Sequence, residues 1–162
     1  MIVVSDTTAI SSLHKIAHLH LLKEIFTEVV IPAQVYDELK YFEKIQPGFD
    51  LRRSYPWISI ETVKDTGLIQ SLEEILDAGE SSAIALSIQL HADLLLIDEK
   101  LGRKIAREKG LSVVGLMGVL EIAKKRKIVP FIKPLMDDLI RVANFRISKL
   151  LYERTLEAVN EK

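Results

Sequence analysis

Four carboxylates stand where the sequence makes a carboxylate costly or unusual: Asp6, Glu38, Glu80 and Asp98. Asp6 closes the run Ile2-Val3-Val4-Ser5, and Asp98 closes Leu94-Leu95-Leu96-Ile97 in the same way. Neither run alternates apolar with polar, the pattern of a strand buried on both faces of a parallel sheet. In an open α/β sheet the ligand crevice lies outside the carboxyl ends of the strands, so both aspartates fall at candidate site positions. Glu38 lies on the apolar stripe of Val35, Leu39 and Phe42, where an unpaired buried carboxylate costs on the order of several kcal/mol. Glu80 follows Asp77-Ala78-Gly79 and opens a helix, on the face of Ala83, Ile84 and Ser87. Taken singly, Asp6 and Glu80 read as helix caps and Glu38 as a surface glutamate. Together they converge from four segments on one sheet edge. Carboxylates so crowded raise one another's pKa values and destabilise the fold unless a cation joins them. All-oxygen donors select a hard divalent ion, Mg²⁺ or Mn²⁺. Ions so held activate water and clamp the oxygens of phosphodiester hydrolysis, so the implied chemistry is nuclease-like.

Positioning these acids requires strands and helices in alternation. Beside the two acid-ended runs, Val29-Val30-Ile31 and Val113-Val114 read as buried strands, and Trp57-Ile58-Ser59-Ile60 as a short one. Apolar spacing of three and four predicts two short helices over 7–26, broken near His18 to His20, and further helices over 33–42, 67–76, from Gly79 onward, 115–125, 130–142 and 147–160. The helix after Asp98 is expected to bury Leu101 and Ile105. Parallel strands need right-handed crossovers, so the expected fold class is α/β: a three-layer α/β/α arrangement with a central parallel sheet of about four or five strands. Residues 1–162 read as a single domain, with the C-terminal helices (about 130–160) packed on it. Residues Tyr41 to Pro56, with the turn signal Pro47-Gly48, are expected to form an excursion or lid.

Composition narrows the function classes. The chain has 162 residues, 48% hydrophobic and 28% charged, an ordinary globular balance without a disorder signature. It contains no cysteine, which removes disulfides, thiolate ligands and thiol nucleophiles. No apolar run reaches the ~18 residues of a membrane span and no leader pattern opens the chain, so a cytoplasmic address without membrane contact is expected. The formal charge of −1 gives no global attraction to nucleic acid, which must be held by a local patch or through metal ions. Such a patch is available: Lys100, Arg103, Lys104 and Arg107 recur at helical spacing beside Asp98. They could hold an RNA backbone through phosphate contacts that carry no sequence information, against the default of a solvated face. His14 and His18 share a spacing of four but lack a third ligand, so exposed or capping roles are expected. A phosphoacceptor receiver would need an acidic pair after the first strand and a lysine at the end of a late one. Ser5-Asp6-Thr7 and Val113-Val114-Gly115 supply neither.

The order of Val3-Val4-Ser5-Asp6-Thr7, Ile31-Pro32 to Tyr36-Asp37-Glu38-Leu39, Ala78-Gly79-Glu80-Ser81-Ser82-Ala83-Ile84-Ala85-Leu86 and Leu95-Leu96-Ile97-Asp98-Glu99 resembles a PIN domain. The likeness is greatest to short prokaryotic PIN-like proteins related to VapC-type toxins, whose last third is similar to Gly118-Val119-Leu120-Glu121-Ile122-Ala123-Lys124-Lys125 and Phe145-Arg146-Ile147-Ser148. This resemblance implies a metal-dependent ribonuclease fold with Mg²⁺ or Mn²⁺ at an acidic cluster and frequent homodimers. In many members it also implies service as the toxin of a toxin-antitoxin pair, with a small antitoxin protein as partner. By motif, Asp6, Glu38, Glu80 and Asp98 would be the metal-binding and catalytic acids. The chain departs from many PIN nucleases around the last aspartate: Leu96 and Ile97 replace a hydroxyl residue, and Glu99-Lys100-Leu101 replaces a further aspartate beside a phenylalanine. Glu99 is the candidate additional acid. The alternative that these residues leave open is a catalytically weak or inactive PIN-fold module that binds nucleic acid or regulates.

Overall fold

Runs of branched apolar residues become strands because they can be covered on both sides. The computed structural model describes residues 1–45 and 49–162, and the expected Pro47-Gly48 turn lies outside the described residues. In chain order the elements begin β1 (Val3–Ser5), α1 (Thr7–Lys15), α2 (His20–Phe26), β2 (Val29–Pro32), α3 (Ala33–Ile45), α4 (Leu51–Ser54) and β3 (Ile58–Glu61). They continue with α5 (Thr66–Glu73), α6 (Ala78–Gln89), β4 (Leu94–Leu96), α7 (Lys100–Glu108), β5 (Val113–Val114), α8 (Leu116–Lys125), α9 (Lys133–Arg141) and α10 (Lys149–Ala158). The sheet is parallel throughout, in the order β3-β2-β1-β4-β5.

β1 is the strand from which the chain winds in both directions. Val4 pairs with Val30 on one side, and Val3, Val4 and Ser5 pair with Leu94, Leu95 and Leu96 on the other. Successive residues point to opposite faces: Val3 and Leu96 join the core cluster beneath α1, α8 and the C-terminal helices, while Val4 and Leu95 join the one beneath α6 and α7. Helices therefore cover both faces, giving the three-layer α/β/α arrangement. The crossover direction reverses between β1 and β4, and the crevice of such a sheet opens at that point, beyond the strands' carboxyl ends.

The closing helices rest on the first cluster through Leu135, Met136, Leu139, Leu156 and Val159. Glu161 fastens them, accepting from the Ile132 and Lys133 backbone N–H groups and pairing with Lys124 at 3.2 Å. Among the described residues, no helix is long and apolar enough to cross a membrane.

Three expectations need correction. The stretch from Tyr41 is not an open excursion over its described part: α3 continues to Ile45, Asp50 caps the short α4, and Phe49 and Leu51 are buried in the core. Burying those two apolar side chains offsets the cost of ordering the segment. Leu101 is 44% exposed; α7 buries Ile105 as expected, together with Gly102 and Ala106 in place of Leu101. His14 is neither exposed nor a cap: its ring lies 4.2 Å from that of Phe49, and its Nδ1 is 2.8 Å from the Tyr55 hydroxyl. His18 falls beyond α1, where Ala17 takes a positive φ of 59° and ends the helix, so the two histidines share no helical face.

Candidate active site

β1 and β4 deliver their terminal aspartates to the switch point of the sheet. Asp6 follows β1 directly; its backbone N–H donates to the Leu96 carbonyl at 3.1 Å, while its side chain caps α1 by accepting from Ala9 N–H at 3.3 Å. It is therefore the helix cap as well as a candidate site residue. The residue is only 3% exposed. Burial, and next the charge of Asp98, push it well above the usual carboxylate range, with Glu80 and Asp77 adding to the effect. Asp98 lies two residues beyond β4 and accepts from the Leu116 N–H at 2.9 Å through Oδ1. Its own pKa is raised by burial, against the Leu116 hydrogen bond and the positive charge of Arg103. Asp98 Oδ2 is buried without a hydrogen-bond partner.

α6 brings the third acid. Asp77 caps it, accepting from the Glu80 N–H at 2.8 Å, and this Asp-x-x-Glu arrangement sets Glu80 in the first turn. Glu80 is half-buried and pushed up to about 7, by burial first and then by the charges of Asp77 and Glu99, with a smaller contribution from Glu38. Glu38 comes from α3 and is held by the Thr7 hydroxyl, which donates to Oε2. Gly79 makes this approach possible, because a Cβ there would sit 2.7 Å from Glu38 Oε2.

Asp77, Glu80, Asp98, Glu99 and Arg103 line one side of an open cleft of about 730 Å³. Asp6 and Glu38 are not part of this lining; Asp6 feels the charges of Asp98 and Glu80, and Glu38 acts on Glu80. Glu99 is exposed at the start of α7 and acts on Glu80. Among the charged residues beside the acids, Asp77, although its place three residues before Glu80 carried a capping signal, and Arg103 in its inward role were not legible in the sequence. Arg103 is half-buried, its Nε is buried without a partner, and its Nη1 lies against Gly115 beside Asp98. α7 is rotated so that Arg103 faces the cleft, where its charge acts on Asp98, while Lys100, Lys104 and Arg107 stay exposed.

Residues 2–161 match a family model described as a PIN domain. The chain belongs to the PIN-domain family. No curated protein matches it. PIN domains are generally nucleases, hydrolases that act on nucleic acids and typically use divalent metal ions. The residues present fit such an ion by their chemistry: an all-carboxylate donor set and an orphaned buried oxygen on Asp98. Among the described residues, no three ionisable side chains stand ready-made as a ligand set. Asp98 Oδ1 is engaged with Leu116 and Glu38 with Thr7.

The same electrostatics yields a stability prediction. Asp6, Glu80 and Asp98 all hold their protons to higher pH in the folded chain than when unfolded. Where the folded state binds more protons, stability falls as pH rises. For Glu80 that loss develops between the ordinary glutamate range and about 7. Thermal melts in EDTA should therefore show the protein more stable at mildly acidic than at neutral pH, and saturating Mn²⁺ should remove the difference. A metal-free melting temperature that rises steadily toward neutral pH would contradict the raised values.

Proposed function

We propose that this PIN-domain protein is a metal-dependent endoribonuclease that holds Mg²⁺ or Mn²⁺ with Asp6, Glu80 and Asp98, assisted by Glu38. The observation that carries the reading is the gathering of Asp6, Asp98 and Glu80 at the β1/β4 switch point, with Asp6 buried under the charges of the other two and Asp98 Oδ2 unpartnered. A bound divalent ion supplies Lewis-acid activation of water and neutralises charge on the phosphodiester. The chain's own residues do the positioning. Ala9 and Leu116 N–H groups orient the two aspartates, Thr7 fixes Glu38, and Asp77 holds the first turn of α6 so that Glu80 reaches the cleft. Glu99 is the candidate additional acid on the rim.

Cleavage of a mixed RNA pool in Mn²⁺, by the wild-type protein and by an Asp6→Asn variant prepared identically, tests this. Activity confined to the wild type is expected. Equal activity in both preparations means a contaminant, and none in either leaves a nucleic-acid-binding module without turnover.

Lys100, Lys104 and Arg107 are exposed along α7 and extend the proposed RNA contact away from the cleft, with Arg103 as its inner end. Replacing the three exposed residues with glutamine should lower the slope of log affinity against log salt by about 2, at roughly 0.7 per phosphate contact on a single strand. An unchanged slope removes α7 from the interface. Exposed Ile140, Val142, Leu150 and Leu151 on and beside the closing helices support a homodimer, which light scattering at working concentration tests. The toxin role and a small antitoxin partner belong to the same proposal through the likeness to short prokaryotic members, and a small reading frame immediately upstream would support them.

A further inference from the structure

The cleft has a second wall, built largely from the last third of the chain. It is made by the connection between α9 and α10, Asn144-Phe145-Arg146-Ile147-Ser148, with α1 contributing Ser11 and Lys15. This connection is fixed in place. Asn144 takes a positive φ of 54°, the Phe145 N–H donates to the Leu139 carbonyl at 2.9 Å, Ile147 packs on the core, and Ser148 caps α10 by accepting from Leu151 N–H at 3.1 Å. Its cation is unspent: Arg146 is exposed and forms none of the ion pairs among the described residues. Lys15, by contrast, is drawn over the Phe42 ring at 5.0 Å. Phe145 is half-buried in the same wall.

Asp77, Glu80 and Glu99 in the same lining repel a polyanion, so a strand needs cations of the lining besides Arg103 to hold its phosphates. An unpaired arginine next to an aromatic residue, on a tied-down connection lining the same cleft, is the combination by which proteins grip single strands: phosphates on the cation, bases on the ring. We infer that Asn144–Ser148 is the substrate-holding wall of the cleft, binding a single-stranded RNA segment with a backbone phosphate on Arg146 and a base against Phe145. RNA as the occupant rests on the nuclease reading of the same cleft.

Binding of a short fluorescein-labelled oligouridylate, measured by anisotropy in EDTA so that the strand stays intact, tests the wall separately from cleavage. Arg146→Glu should weaken binding by about tenfold and flatten the salt slope by roughly 0.7 or more. Phe145→Leu, which keeps an apolar side chain but removes the π-face, should weaken it by about fivefold with the melting temperature retained. Arg154→Glu, an exposed α10 arginine outside the cleft lining, should do neither. The same strand annealed to its complement should bind more weakly.

Unchanged affinity and slope in Arg146→Glu overturn the wall, and equal affinity for the duplex overturns the single-strand assignment. If the wild type cleaves RNA in Mn²⁺ while Arg146 is irrelevant to binding, only this inference fails. If binding depends on Arg146 but no cleavage occurs, the nuclease reading fails and the wall stands.

Discussion

Asp6→Asn is expected to remove metal-dependent cleavage and, at the same time, to make the metal-free protein melt at a higher temperature. The carboxylate is buried and held well above its usual pKa by desolvation and by Asp98, so ionising it at neutral pH costs stability that asparagine does not. Asparagine is also as good a helix cap as aspartate and can accept from Ala9 N–H in the same way. Relief of about 1–2 kcal/mol, the usual return from neutralising a strained site, corresponds to a rise of roughly 2–8 °C. The sign depends on pH: the gain should be largest near neutrality and vanish below the ordinary aspartate range, where both states of the wild type are protonated. Cleavage should fall by at least about 100-fold, because losing even a group behind a metal ligand costs up to that much. A variant that melts lower and still cleaves would show that Asp6 serves only as the cap.

Gly115→Ala should produce the reverse dissociation, a nearly unchanged fold with a damaged metal site. Gly115 precedes α8 at φ −96°, a conformation open to alanine, and the substitution reduces unfolded-chain entropy. Its Cβ, however, would stand 2.7 Å from Asp98 Oδ1 and 3.1 Å from Arg103 Nη1. Both are the ends of movable side chains, so they yield rather than the backbone. Asp98 then leaves the Leu116 N–H that orients it, and Mn²⁺ affinity should fall about 10- to 100-fold, the range for losing an orienting partner. Gly67→Ala is the control, since its Cβ would make only an ordinary 3.5 Å contact with Asp65. Calorimetric Mn²⁺ titration of both variants, beside their melts, checks this. Full affinity in Gly115→Ala would place Asp98 away from the ion.

The parts of this molecule that were legible in the sequence are those with local causes. Val3-Val4 and Leu94-Leu95-Leu96 lack alternation because both faces are covered, and from that pattern follow the parallel sheet and the strand-end positions of Asp6 and Asp98. Glu38 was visible as an acid on an apolar stripe, and Glu80 as an acid behind a small-residue turn. What escaped depends on distant residues or on the rotation of a helix. Arg103 turns inward because α7 packs Gly102 and Ala106, small residues that carry little apolar signal, while the larger Leu101 faces out. His14 owes its aromatic setting to Phe42, Phe49 and Tyr55, brought in from a stretch whose composition suggested a loop. The second wall of the cleft comes from the chain's last third, and no local pattern joins Arg146 to Glu80. The strand order likewise follows from how crossovers pack, which strand composition does not encode.

Whether Asp6, Glu80 and Asp98 jointly hold a divalent cation is tested most directly by a crystal soaked in Mn²⁺ with anomalous data collected. An anomalous peak is expected between Asp6 and Asp98, with Glu80 turned toward it and Asp98 Oδ2 among its ligands. Crystals that diffract well but show no peak there, or Mn²⁺ bound elsewhere with Asp6 still serving Ala9 alone, would contradict it.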